Sequence, residues 1–304
     1  MASSHRVHGA LILVSVIFGT LPATSKAIMG NGGVDPFSYA FIRVAITSCI
    51  LLVVYRVFLY ERVRSLRDYG LMALCGFYGI VINVTYFFIG VDHTSSINAS
   101  VLMMNIPVFT LVLALLGAQE RFAWYKVAAI PVSFLGVGIL IGVENFSMSD
   151  DDALGIFFII VNTFSFSGFL VISRPLMKEY RPSTVTTWTF AFAALMMVPL
   201  GMVGLQTTDA AGIEGLTWTL IMYVILFPTI VTYFLNNWAL KRAESSMVAL
   251  YIYIQPLVAG ILAVSLLDEE ITLRLMIGGI LIFAGVAIAT IGETRIRRAR
   301  MSPG

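Results

Sequence analysis

Apolar residues in this chain gather into ten runs, and charged residues lie almost entirely in the gaps between them. The runs are Val7 to Met29, Phe37 to Val57, Tyr69 to Val91, Ile97 to Gly117, Trp124 to Gly142, Leu154 to Ser173, Val185 to Leu205, Leu216 to Trp238, Met247 to Leu267 and Leu275 to Ile291. At 1.5 Å per residue, about 20 apolar residues cross the ~30 Å hydrocarbon layer of a bilayer as a helix. The pattern therefore predicts an all-α integral membrane protein with ten transmembrane helices.

Lys and Arg occupy every second gap. One set holds Arg6; Arg56, Arg62, Arg64 and Arg67; Arg121 and Lys126; Arg174, Lys178 and Arg181; Lys241 and Arg242; and the tail residues Arg295, Arg297, Arg298 and Arg300. The opposite set offers Lys26 and Arg274 at helix ends, beside Glu144, Asp150, Asp151 and Asp152. Because the cytoplasmic side retains basic residues, both termini are expected there. The first run is too long for a signal-peptide core and lacks a small-residue cleavage site after it, so it is expected to stay as the first membrane helix.

Composition agrees: 59% hydrophobic, 12% charged, mean hydropathy +0.91, against roughly 25% charged in soluble domains. A soluble enzyme is not expected on that ground. The net charge of +2 is accounted for by orientation and by contact with lipid headgroups, so no nucleic-acid partner is expected. Cys49 and Cys75 lie inside apolar runs without metal-ligand spacing and are expected to pack, with no metal or cofactor.

The two halves resemble each other. Gly9 matches Gly155 and Pro36 matches Pro182 at one offset; at a slightly larger one Ser96 matches Ser245, Pro107 Pro256, Ala114 Ala263, Glu120 Glu269, Phe134 Phe283, Gly136 Gly285 and Val137 Val286. Five spans per half is an odd number, so the second copy enters the membrane from the opposite side. The expected architecture is two inverted five-helix repeats, residues 1–146 and 147–304 with the basic cytoplasmic tail, around a central cavity. Secondary transporters are commonly built this way, with the substrate near mid-membrane between the repeats.

Several strings carry a family likeness: FGTLPATSK from Phe18 to Lys26, DPFSYAFIR from Asp35 to Arg43, INASVLMMNIPVFTLVLALLGAQE from Ile97 to Glu120, ESSMVALYIYIQPLVAGILAVSLLDEE from Glu244 to Glu270, and IGGILIFAGVAIA from Ile277 to Ala289. In their order and spacing the chain resembles an EamA-type member of the drug/metabolite transporter superfamily over nearly its whole length. Phe18 stands where that family often has Trp. The resemblance implies an inner-membrane carrier, often an exporter, for small metabolites such as amino acids. It places helices one to four and six to nine around the cavity and leaves five and ten peripheral, in a monomer or homodimer.

Polar side chains are costly in hydrocarbon unless they face protein or water, so their stripes point inward. On helix one, Ser15, Phe18 and Gly19 share a face with Pro22 and Lys26. Helix three aligns Gly79, Asn83 and Tyr86; helix four, Asn98 and Asn105; helix six, Asn162, Ser165, Phe166 and Phe169; helix eight, Tyr233, Asn236 and Asn237; helix nine, Tyr251 and Gln255. The candidate substrate-binding set is Ser15, Phe18, Gly19, Arg43, Asn83, Tyr86, Asn105, Asn162, Ser165, Trp188, Tyr233, Asn237, Tyr251 and Gln255. Asn, Ser and Gln between membrane helices also serve as interhelical ties, and that reading stays open for each. Gly136 and Gly138 in the fifth run and Gly278, Gly279 and Gly285 in the tenth read as packing faces.

Arg43 lies about two turns into its span, where a cation needs snorkelling, a carbonyl or a carboxylate; it is a candidate anchor for a substrate carboxylate, a structural tie or a gate. Lys26 and Glu120 read as helix-end charges. No Asp or Glu falls at mid-span, which disfavours proton coupling and predicts facilitated diffusion or exchange. SFSG from Ser165 to Gly168 has no embedded His partner, so no hydrolase is expected. The lining suits amino acids or related zwitterions; drugs or nucleoside-like compounds, or a passive channel, remain as alternatives.

Overall fold

The computed structural model describes residues 2–31, 34–93, 102–103, 105–141, 150–207, 213–255, 257–258 and 273–301. Asn98, Pro256, Glu269 and parts of the paired motifs lie outside the described residues. Regular structure among the described residues is helical throughout: α1 Ala2–Gly19, α2 Leu21–Lys26, α3 Pro36–Val54, α4 Leu66–Gly76, α5 Asn83–His93, α6 Ile106–Leu116, α7 Trp124–Ile141, α8 Asp150–Glu179, α9 Pro182–Met196, α10 Val198–Thr207, α11 Gly215–Val224, α12 Thr232–Leu240, α13 Ser245–Leu250 and α14 Leu273–Met301.

Local chemistry sets several of these ends. Asp35 caps α3, its Oδ1 accepting from the N–H groups of Phe37 (2.9 Å) and Ser38 (3.1 Å), and Pro36 follows at a position where its missing N–H costs nothing. Ser65 does the same for α4, accepting from Asp68 N–H at 3.2 Å. Between α1 and α2 the helix breaks at Thr20, whose hydroxyl bonds Ile17 O at 2.7 Å; Pro22, two residues on, cannot supply the N–H that a continuous helix needs. Pro199 has the same effect after Met197, where the bend between Pro182–Met196 and Val198–Gly204 is 54°.

Short π-helical turns end two rods, at Ala27–Asn31 and Tyr55–Leu59, and two more lie in the interior of long rods. Phe77–Ile82 joins α4 to α5, and Ile225–Val231, with Pro228 inside it, joins α11 to α12. A π-turn shifts the hydrogen-bond register by one residue and leaves carbonyl groups for other partners. Among the described residues four helices are long and apolar enough to cross a membrane: Pro36–Leu59, Leu66–Val91, Ala153–Glu179 and Gly215–Leu240; counting the bent pair adds a fifth. Shorter apolar helices are His5–Gly19, Ile106–Leu116 and Met276–Ala289. Large apolar side chains such as Leu195, Met202, Val203 and Ile280 face outward, as a lipid-facing surface requires.

Packing runs mostly between the halves: α1 lies on α12, α3 and α4 on α9, α5 and α6 on α8, and α6 on α13. α7 and α14 pack chiefly against each other. Their contact is a small-residue seam in which a Cβ on Gly136 would lie 2.7 Å from Ile282 N, and one on Gly285 1.9 Å from Ser133 Oγ and 2.9 Å from Ala129 O. Backbone cannot retreat as a side-chain tip can, so Gly285→Val is expected to part these helices. The cost is about 1–3 kcal/mol, read as a lowered unfolding temperature of the purified protein. Cys75 is buried as expected of a packing residue, whereas Cys49 is exposed on the outer face of α3.

Candidate functional site

A small cavity lies between α1, α8, α12 and the rod beginning with α13, and Leu11, Val14, Ser15, Phe18, Phe166, Leu170, Asn236, Val248, Tyr251, Ile252 and Gln255 line it. The positions follow from helical spacing: Leu11, Ser15 and Phe18 share one face of α1, and Val248, Tyr251, Ile252 and Gln255 one face of the rod opposite. Its volume is about 20 Å³, room for about one water molecule and not for a metabolite. The described walls are therefore drawn together over the site.

Hydrogen bonds close the contact between α1 and the opposite rod. Ser15 Oγ donates to Tyr251 O at 2.7 Å, and His8 Nδ1 pairs with Tyr251 OH at 2.6 Å. A Cβ on Gly19 would stand 3.1 Å from Val258 Cβ and 3.2 Å from Gln255 O, so this glycine lets the two rods approach. Ser15, Phe18, Tyr251 and Gln255 of the candidate set thus line the cavity, with Gly19 beside it.

The other candidates do not line this cavity. Tyr233 meets Phe18, Phe169 and Phe190 ring to ring, and its hydroxyl donates to Gly79 O at 2.8 Å. Ser165 Oγ donates to Tyr78 O and Asn162 Nδ2 to Asn83 O, both at 2.6 Å. All three acceptors lie in or next to the Phe77–Ile82 π-turn, so these side chains satisfy the backbone the turn releases. Asn237 Nδ2 donates to Thr186 Oγ1 at 2.7 Å, and the Oδ1 atoms of Asn162 and Asn237 are buried without a donor. Tyr86 stacks on Phe158, Asn105 Nδ2 bonds Leu102 O at 3.0 Å, and Trp188 packs on Tyr69 with its Nε1 buried and unpaired. Arg43 is buried, and its Nε donates to Thr229 Oγ1 at 2.7 Å.

Sequence reasoning missed the charged cluster at one end of the molecule. Glu120, expected as a helix-end charge, is buried: Oε2 accepts from Lys126 Nζ at 2.7 Å and from Ser246 Oγ at 2.5 Å, and Oε1 from Ser246 N–H at 3.1 Å. Lys126 also pairs with Glu244, and Arg174 Nη1 lies 3.6 Å from Glu120 Oε1. Ala118, at φ 52°, turns the chain sharply after α6 and sends Glu120 back under it. Burial alone would raise the Glu120 pKa; Lys126 and the Ser246 bonds outweigh it and hold the carboxyl below its ordinary 4.5. Nearby, Glu61 Oε2 accepts from Arg181 N–H at 2.9 Å and Thr184 Oγ1 at 2.5 Å, and Tyr180 OH donates to Asp68 Oδ2 at 2.6 Å.

Comparison with known proteins adds to this geometry. The model of the EamA-like transporter family matches residues 6–142 and again residues 153–291. The chain is 25% identical to an uncharacterized transporter of Archaeoglobus fulgidus, covering 86% of this chain and 90% of that protein. It is 26% identical to one of Clostridium kluyveri, covering 91% of each, and 27% identical to the uncharacterized transporter YdfC of Bacillus subtilis, covering 88% and 86%. A crystal structure of a protein 18% identical in sequence superposes with a TM-score of 0.76 over 92% of this chain and 97% of that one, a likeness of fold.

Proposed function

The chain belongs to the EamA-like transporter family, and from that premise we propose an alternating-access carrier, exporting or exchanging small polar metabolites such as amino acids or related zwitterions. It is a multi-pass membrane protein. In this reading ten spans form two inverted halves, residues 1–146 and 147–304, in the inner membrane with both termini in the cytoplasm. Support comes from the twofold family match, from described helix in each of the ten apolar runs, and from loops that meet at one end. Glu61 reaches Thr184, Lys241 reaches the Tyr180 carbonyl and Glu120 reaches Ser246, which joins the loops after runs two, four, six and eight, as alternating spans require.

The cavity carries the substrate reading. Ser15, Asn236, Tyr251 and Gln255 offer neutral donors and acceptors from both halves, a lining that orients a zwitterion without trapping an ion. Arg43 is the proposed anchor for a carboxylate, and the other candidates complete the substrate path. The apolar walls formed by Leu11, Val14, Phe18 and Phe166 favour a second reading, a polyspecific exporter of drugs or nucleoside-like compounds.

Thermal-shift screening against amino acids, betaine-like derivatives, nucleosides and polyamines separates these, because a binder raises the unfolding temperature by mass action. With the solute identified, Tyr251→Ala and Gln255→Ala are each expected to slow its uptake into proteoliposomes about tenfold, the worth of one polar contact of roughly 1.4 kcal/mol. Uptake unchanged in both would remove the cavity from the path.

A further inference from the structure

Two carboxylates of the first half do the work of helix caps on the second. An N-cap is ordinarily local, a side chain bonding the N–H two or three residues on. The N-cap residues of α9 and α13, Arg181 and Glu244, make no such side-chain bond. The open donors are met instead from more than a hundred residues away. Glu61 takes Arg181 N–H and Thr184 Oγ1, and Glu120 takes Ser246 N–H and Ser246 Oγ. Glu61 and Glu120 lie in the stretch 6–142, and their partners in the stretch 153–291.

A local cap travels with its helix, but a cap from the other half must break when the halves separate. We infer that Glu61 on α9 and Glu120 on α13 form a latch that holds the Arg-rich face of the molecule shut, and that the cavity opens to that face only when both carboxylates let go. The inference rests on the carrier reading above and adds the device that controls one of its gates.

Three further observations place the latch over the cavity and load it. Ser245 Oγ donates to Leu170 O at 3.0 Å, fixing the start of α13 to α8 directly beside Leu170 and Val248, which line the cavity. Tyr180 OH bonds Asp68, the Arg64 N–H bonds Tyr180 OH, and Lys241 Nζ bonds Tyr180 O at 3.2 Å, so the loops around both caps are tied into one plate. Arg174 donates from Nη1 to Gln119 O at 3.2 Å, yet its Nε is buried without an acceptor. A buried donor left unmet is a cost borne by the closed arrangement, and separation of α8 from Glu120 relieves it by admitting water.

The test places a reporter thiol at Val248→Cys in a background with Cys49→Ser and Cys75→Ala, reconstituted in vesicles of known orientation. Labelling by a membrane-impermeant thiol reagent is timed from each face. Glu61→Gln with Ser246→Ala removes the charge of one cap and a donor of the other while leaving the Glu120 cluster in place. It is expected to speed labelling from the Arg-rich face at least fivefold, with each single change in between and no gain from the opposite face. Thr184→Ala with Ser246→Ala deletes only two hydroxyl oxygens, and should give the same direction even if Glu61→Gln folds poorly. Unchanged rates in folded variants, with the parent reagent-accessible from one face only, overturn the latch alone. Equal labelling from both faces of the parent overturns the carrier reading as well.

Discussion

Glu120→Ala is expected to destabilise the protein by about 3–5 kcal/mol, the cost of removing one partner from a buried ion pair. Lys126 is nearly inaccessible and would keep only Glu244, whose side chain is a third exposed, while Arg174 would lose its carboxylate neighbour. The cluster balances two acids against two bases, so one deletion leaves a buried positive excess, and deletion of one of each sign does not. Glu120→Met with Lys126→Met should accordingly recover much of the loss, leaving Glu244 and Arg174 to balance. Unfolding temperatures of the two variants and the parent in detergent decide this; a double variant as unstable as the single one would show that Ser246 capping, and not charge balance, dominates. The pH dependence has a definite sign. The folded carboxyl titrates below its unfolded value near 4.5, so its contribution is complete above that value. It is lost as pH falls through the depressed one, with no loss from this group between pH 8 and 5.

How far the chain declares itself can be judged on particular residues. The apolar runs and the caps at Asp35 and Ser65 are local, and the helices follow them. The seam of Gly136 and Gly285 is legible because small residues on two polar-poor helices have little else to do. The π-turn at Phe77–Ile82 is not legible, because it carries no proline and its register is settled by Ser165, Tyr233 and Asn162 arriving from other helices. Period 3.6 tells which face of α8 or α12 turns inward, not which backbone it will meet. Ser15, Phe18, Tyr251 and Gln255 line a cavity, while Asn162, Ser165 and Tyr233 are spent on carbonyls at the Phe77–Ile82 turn and do not line it. Glu120 sits six residues from Lys126, but Glu244, Ser246 and Arg174 are brought to it only by the fold. Cys49 lies in an apolar run like Cys75, yet faces outward, since membrane helices are apolar on the lipid side as well as the packed one.

Arg43→Gln is expected to slow transport of carboxylate-bearing solutes at least tenfold while leaving their methyl esters within about twofold, since a charge-assisted bond is worth ~1.5–3 kcal/mol. Arg43 is 3% exposed, and its Nε is engaged by Thr229, whose hydroxyl donates in turn to Val224 O at 2.7 Å across the π-turn of Ile225–Val231. Among the described residues no carboxylate lies within 4.0 Å of it. A guanidinium presents five N–H groups in a planar fork, and with Nε fixed the four on Nη1 and Nη2 form the edge that a carboxylate meets in two parallel bonds. Membrane burial makes an unanswered cation costly, so an anion that arrives there gains what the protein has not already supplied. Arg43→Lys keeps the charge without the fork and should recover only part of the acid-over-ester preference. Thr229→Val frees Nε without touching the other nitrogens; it should lower stability and leave that preference in place. If Arg43→Gln slows acid and ester alike, the residue is a tie between α3 and the π-turn, and the carboxylate is recognised by the cavity residues Ser15, Tyr251 and Gln255 instead.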